Sequence, residues 1–262
     1  MMELNKIYCG DNCDLLGQLP RECIDLVVTS PPYDDLRTYG GHTWDFYGVA
    51  WQLKRVLKPG GVIVWVVADA TKDGSETGTS MEQALHFKRL GLNLHDTMIW
   101  DKPFIVPRPS NRYESSSEFM FVFSKGTPKT VNLIKDKQNV GAGRKITGHK
   151  RGTDGEPEYL HGASAGKTVS EFGTRHNVWV LDANRGNNGH DHPATFPDRL
   201  AQDHIVTWSN TGDIVLDPFA GSGTTCKAAK ELGRNFLGFE INPEYCKIAE
   251  RRIAQEVLDF VS

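Results

Sequence analysis

The nine residues Asp217-Pro218-Phe219-Ala220-Gly221-Ser222-Gly223-Thr224-Thr225 constrain the fold more than any other stretch. A short β-rich run, Asp213 to Leu216, leads into them, and a helix is expected from Cys226 to Leu232. Strand, Gly-x-Gly, then helix is a nucleotide-binding turn, in which the glycines let a ligand approach the backbone. No lysine follows Gly223, so the turn is not a P-loop. The third glycine of the dinucleotide pattern would fall where Cys226 stands. The next expected strand, Asn235 to Phe239, ends at Glu240, where an acid can bond a ribose hydroxyl. A ribose-binding acid without a pyrophosphate fingerprint points to a nucleoside ligand lacking phosphates. S-adenosylmethionine fits that description.

A second centre is Ser30-Pro31-Pro32-Tyr33. It follows Ile24 to Thr29, a run that reads as a buried parallel strand. The prolines end the ladder and stiffen the chain just past the strand. In open α/β sheets, ligands bind at the carboxyl ends of strands. A hydroxyl, a fixed carbonyl and an aromatic face there suit a flat, polar ring bearing an amine. Such an amine is a poor nucleophile, because its lone pair is delocalised into the ring. Hydrogen bonds from its N–H groups to the Pro31 carbonyl and at the Ser30 hydroxyl would pyramidalise the nitrogen and aim the lone pair. Attack on a sulfonium methyl is then a direct in-line transfer, assisted by proximity and fixed dipoles. Tyr33 would stack on a base flipped from its duplex. Methylation at cytosine C5 would need a cysteine nucleophile instead. None of the five cysteines follows a proline or ends the Ile24 strand.

Between the two centres, helices are expected over Asn12–Leu19, with Asn12 as its cap, and over Phe46–Leu57 and Ser80–Leu90. Strands are expected over Lys6–Gly10, Val62–Val67, Leu92–Trp100 and Phe119–Phe123. An amphipathic helix from Pro243 to Leu258 closes the chain. From about Thr127 to Gly189 the apolar period disappears and glycines are frequent, until Val178-Trp179-Val180-Leu181 looks like a strand returning to the core. Within this segment, Lys129 to Arg151 holds seven basic residues against one acid, Asp136, on a chain of net charge −3. Arg144, Lys145, Lys150 and Arg151 could neutralise phosphates there. Arg37, Tyr39, His42 and Trp44, beside Gly40-Gly41, mix charge and aromatics as nucleic-acid contacts do. Lys102 joins this group of expected DNA contacts. No apolar run nears the length of a membrane span, and the start Met-Met-Glu-Leu-Asn-Lys lacks the shape of a signal peptide. The odd cysteine count reads as reduced thiols in a cytoplasmic protein. With nine scattered histidines, no metal site is expected.

These motifs resemble the amino-methyltransferases of DNA, of the β arrangement. In that family a Ser/Asp-Pro-Pro-Tyr motif precedes the target-recognition region, and a Phe-x-Gly-x-Gly cofactor segment comes late, as here. Arg55-Val56-Leu57-Lys58-Pro59-Gly60-Gly61, Trp100-Asp101-Lys102-Pro103 and His192-Pro193 are similar to other family segments. The resemblance implies a Rossmann-like α/β fold with a seven-stranded, mostly parallel sheet and helices on both faces. The Asp213 strand would be first, with the Asn235, Lys6 and Ile24 strands second, third and fourth. Residues 1–126 would form the catalytic half, 127–189 a small target-recognition insertion, and 190–262 the cofactor-binding half. Asp11 would approach the adenine amine of S-adenosylmethionine, and Glu240 would hold the ribose. Phe219 and Gly221 would border the ligand with the rest of 217–225, helped by the His192 segment. In the family, Ser at the first motif position is commoner in enzymes acting on cytosine N4, and Asp in those acting on adenine N6. Ser30 therefore favours cytosine N4 in duplex DNA, with adenine N6 as the alternative. A non-catalytic DNA-binding relative and an RNA-acting one are the further alternatives. A homodimer and a partner restriction endonuclease, in a bacterial or phage-infected cell, also follow from the resemblance.

Overall fold

The computed structural model describes residues 2–33, 44–106, 111–146, 149–151, 153–159, 167–182 and 196–254. The chain forms two compact units, Met1–Asn132 with Asn177–Ser262, and Leu133–His176. The first unit is built on an eight-stranded sheet. Its strands are β1 (Lys6–Cys9), β2 (Ile24–Thr29), β3 (Leu57–Val67), β4 (Asn93–Val106), β5 (Ser115–Ser124), β6 (Val178–Val180), β7 (Ile214–Asp217) and β8 (Asn235–Glu240). They lie in the order β1-β8-β7-β2-β3-β5-β4-β6. Every neighbouring pair is parallel except those of β5, which runs antiparallel to β3 and β4. The switch point falls between β7 and β2, where the crossovers change direction. The Asp213, Asn235, Lys6 and Ile24 strands take their expected places. The sheet has one strand more than the expected seven: β6 extends the edge beyond β4 in register Val178↔Ile99 and Trp179↔Trp100.

The period of two along the central strands sorts side chains onto two buried layers. Val62, Val64 and Val66 of β3 join Leu26 and Val28 of β2 on one face. Leu200, Ala201, Ile205 and Trp208 of helix α4 (Asp198–Trp208) cover that face, with Ala228 and Ala229 of α5 (Thr224–Glu231). Ile63, Trp65 and Val67 face the other way. There they meet Leu16 of α1 (Asn12–Gly17), Val49, Ala50, Leu53 and Val56 of α2 (Phe46–Val56), and Ala84 and Phe87 of α3 (Thr79–Arg89). Helix α2 stops at Val56 because Pro59 and the positive-φ Gly60 (φ +77°) cannot extend it, and the chain turns directly into β3. Helix α6 (Pro243–Ala254) closes the described chain. No helix among the described residues is long and apolar enough to cross a membrane.

Antiparallel pairings make up the second unit. Lys137–Gln138 pairs with Phe172–Gly173, Lys145 bridges Thr168, and His149–Arg151 pairs with Pro157–Tyr159. None of its described residues enters either buried cluster. The chain leaves and re-enters the first unit at two fixed points. Asn132 donates from N to the Thr207 carbonyl (2.8 Å) and from Nδ2 to that of Val206 (3.2 Å). The Asn177 carbonyl accepts from Ile99 N (2.9 Å), and its Nδ2 donates to the Thr97 carbonyl (3.1 Å).

Candidate functional site

The two sequence centres meet at the switch point. In register, Val215 and Leu216 of β7 lie beside Leu26 and Val27 of β2, so both motifs leave the sheet at the same, carboxyl end of these two strands. Thr29 Oγ1 donates to Asp217 Oδ1 at 2.6 Å, and Phe219 N donates to the same oxygen at 3.0 Å. From the first turn of α5, Thr225 Oγ1 donates back to the Val28 carbonyl at 3.1 Å. Residues 188 positions apart are thus clasped in the core. Asp217, expected to line the cofactor site, is only 2% exposed and joins the two loops instead. Burial raises its carboxyl from the ordinary 3.8 to about 6, against the opposing effect of the Thr29 and Phe219 hydrogen bonds.

Glu240 ends β8 next to this clasp. Its Oε2 accepts from Gly221 N and its Oε1 from Asn242 N, both at 2.9 Å. Gly221 adopts φ +52° and Gly223 φ +84°, conformations that favour glycine. A Cβ at Gly223 would come within 2.9 Å of Ala249 Cβ on α6. Gly223 therefore also serves close packing. Ser222 and Thr224 are buried, and their hydroxyls accept from Arg252 Nη1 of α6 (2.7 and 3.2 Å), which also reaches the Ser222 carbonyl (2.9 Å). These two hydroxyls anchor α6, a role invisible in the motif. Ala220 is buried against Gly238, with its N bonded to the Phe239 carbonyl (2.8 Å).

Asp11 lies just past β1, which pairs with β8 at Cys9↔Glu240. Asp11, and not Asn12, caps α1, accepting from Asp14 N at 3.1 Å. Asn12 instead donates from Nδ2 to the Pro218 carbonyl at 3.3 Å, tying this helix to the glycine turn. Phe219 is half-buried, with its ring edge-on to Trp44 at 4.9 Å. Trp44, expected among the DNA contacts, packs into the cluster of Phe46, Trp65 and Phe219 instead. A large apolar ring gains more there than in water.

Around the tetrapeptide, Ser30 Oγ lies 2.8 Å from Tyr33 Oη, and Tyr33 Oη donates to Glu118 Oε2 at 2.7 Å. Lys102 Nζ contacts the other oxygen, Glu118 Oε1, at 2.6 Å, and sits 5.3 Å from the centre of the Trp100 ring. Both charged side chains are largely covered, at 19% and 11% exposure. Lys102 is therefore committed to Glu118 and is not extended for a phosphate. The sheet explains this meeting. β4 is parallel to β3, so its late residues reach the site edge, while β5 is antiparallel and brings its first residues there. Nothing in the sequence marks Glu118, because strand ends carry the ligand signal and this residue stands at a strand start, before Phe119-Met120-Phe121-Val122-Phe123. Arg144 and Lys145 are exposed in the second unit. Lys150 and Arg151 lie on its His149–Arg151 strand, their side chains outside the described residues. Arg37, Tyr39, His42 and His192 lie wholly outside them. Among the described residues, no group of three or more His, Cys, Asp or Glu is placed to hold a metal.

The donor set fits a nucleoside sulfonium. Glu240, the acid at the strand end, is held there by two backbone amides. The 217–225 turn carries no basic side chain for a phosphate. Fold and turn together define an S-adenosylmethionine-dependent methyltransferase.

The profile of the DNA methylase family, covering N6 and N4 enzymes, matches residues 24–251. The chain is 51% identical over 247 residues to the orphan methyltransferase M.BamHII of Bacillus amyloliquefaciens, covering 90% of each chain. The chain belongs to the DNA methylase family and is a DNA methyltransferase. Among solved structures it resembles the cytosine-N4-specific PvuII DNA methyltransferase, at TM-score 0.69 and 22% identity over 95% of this chain and 86% of that one. It also resembles a Thermus thermophilus protein, a DNA modification methylase by its description, complexed with S-adenosyl-L-methionine, at TM-score 0.64 and 27% identity over 97% of each chain.

Proposed function

We propose that this methyltransferase modifies the exocyclic N4 amine of cytosine in duplex DNA, with Ser30, Pro31, Pro32 and Tyr33 as the groups that meet the flipped base. The observation that carries the reading is the clasp between Thr29 and Asp217. It ties together the carboxyl ends of the two strands that lead into the Ser30 tetrapeptide and the glycine turn. When bound, S-adenosylmethionine supplies the methyl group. The chain then acts by orientation. Glu240 holds the ribose, and Asp11 lies on the adjacent strand end for the adenine amine. Pro31 offers its carbonyl and Ser30 its hydroxyl to the two N–H groups of the target amine. Holding both N–H bonds directs the nitrogen lone pair at the methyl carbon, an advantage of the kind proximity and fixed dipoles provide. The Tyr33 ring, anchored through its hydroxyl, offers a face on which the flipped base can stack.

Serine at position 30, in place of the aspartate commoner in adenine enzymes, supports cytosine. Arg144, Lys145, Lys150 and Arg151 supply phosphate contacts in this reading. The name of the 51% identical relative favours a methyltransferase that works without a dedicated endonuclease. The test is incubation of the purified protein with labelled cofactor and unmethylated duplex DNA, digestion to nucleosides and mass spectrometry. N4-methylcytosine is expected. N6-methyladenine would overturn the choice of base and leave the site in place. Methylation of RNA but not of duplex DNA would overturn the substrate.

A further inference from the structure

We propose that Glu118 is a positioning residue that fixes the direction of the Ser30–Tyr33 hydrogen bond, so that Ser30 presents lone pairs to the target amine. The inference rests on the proposed role of Ser30 as acceptor. Between Ser30 Oγ and Tyr33 Oη, 2.8 Å apart, either hydroxyl can donate. Glu118 removes the ambiguity. Ion-paired with Lys102, it is a carboxylate, and a carboxylate only accepts. Tyr33 has one hydroxyl proton, and it is given to Glu118 Oε2. The proton between Ser30 and Tyr33 must then come from Ser30. Both lone pairs of Ser30 Oγ are then left to accept. An amine whose two N–H groups must both be held needs two acceptors. The Pro31 carbonyl is one, and Ser30, so oriented, is the other. Were the chain reversed, Tyr33 would donate to Ser30, and the Ser30 proton would point at the amine and oppose it.

The two carboxylate oxygens have different partners, and this makes the idea testable. Lys102 takes Oε1 and Tyr33 takes Oε2. In Glu118→Gln, Lys102 has only donors, so it claims the amide oxygen. The amide nitrogen then faces Tyr33 and donates to it, which reverses the chain with almost no change of shape. The expected result is a loss of about 10²-fold in kcat, the scale for misdirecting one fixed dipole at a reacting group. KM for DNA and cofactor affinity by calorimetry should stay within about threefold. Tyr33→Phe removes the relay, and Glu118→Gln added to it should cost nothing further. Adding Lys102→Met to Glu118→Gln frees the amide to turn its oxygen to Tyr33, so about tenfold or more of the lost kcat should return. Full kcat in Glu118→Gln overturns the proposal. So do losses that multiply in the pair with Tyr33→Phe, or the absence of rescue by Lys102→Met. Full turnover in Ser30→Ala would instead overturn the underlying reading of the site, whatever Glu118 does.

Discussion

Replacing Asp217 by asparagine should stabilise the cofactor-free protein at neutral pH and leave it unchanged in mild acid. The carboxyl is buried, and burial raises it from 3.8 to about 6. The unfolded chain gives up this proton near pH 4 and the folded chain only near 6, so between these values the folded state binds more protons. Stability from this group is complete below pH 4 and is lost as pH rises through 6. The interval, at about 1.36 kcal/mol per pH unit, amounts to about 3 kcal/mol at pH 7. Asparagine keeps an oxygen to accept from Thr29 Oγ1 and Phe219 N, and it carries no charge to bury. Urea unfolding of both proteins at pH 4, 5, 6, 7 and 8 measures the difference directly. The two should match at pH 4, and Asp217→Asn should lead by about 3 kcal/mol at pH 7 and above. A difference independent of pH, or a wild type that gains on the variant as pH rises, would refute the reasoning and mean that the two hydrogen bonds outweigh burial.

Ser30→Ala should lower kcat by about 10² to 10³-fold, with cofactor affinity by calorimetry unchanged. Glu240→Gln halves the acceptors for Gly221 N, Asn242 N and the ribose, and should weaken cofactor binding by about 10 to 100-fold, as for loss of a hydrogen bond to a charged group. Arg252→Ala strips three bonds from Ser222 and Thr224, and should cost about 2 to 4 kcal/mol in urea unfolding. Neutralising Arg144 and Lys145 together should lower the slope of log K for duplex DNA against log salt by about 2, while cofactor affinity holds.

Most of the sheet was legible, because buried parallel strands such as Ile24–Thr29 and Val62–Val67 announce themselves by composition. The order of the first four strands followed from the two motifs and the family they resemble. Pairings across long sequence separations were not legible. Lys102 read as a DNA contact and Glu118 carried no signal, since only the reversed direction of β5 brings them together. Ser222 and Thr224 read as ligand contacts because nothing near them in sequence reveals Arg252, which arrives on the last helix. Trp44 read as a nucleic-acid contact because its polar neighbours hid Trp65 and Phe219. Asp217 illustrates the limit within a motif: its place was plain, but its enclosure by Thr29, 188 residues away, turned an expected ligand contact into a core link.

The fixed exit at Asn132 and return at Asn177 have an evolutionary consequence. Both ends of the intervening segment are tied to the catalytic unit by their own backbone and side-chain bonds. What lies between contributes no described residue to the buried layers. Each doubling of such a loop costs only about 0.6 kcal/mol in closure entropy. A segment of this kind can be lengthened, shortened or exchanged while the sheet and the clasp persist, so descendants of one catalyst could diverge there without disturbing the fold that transfers a methyl group.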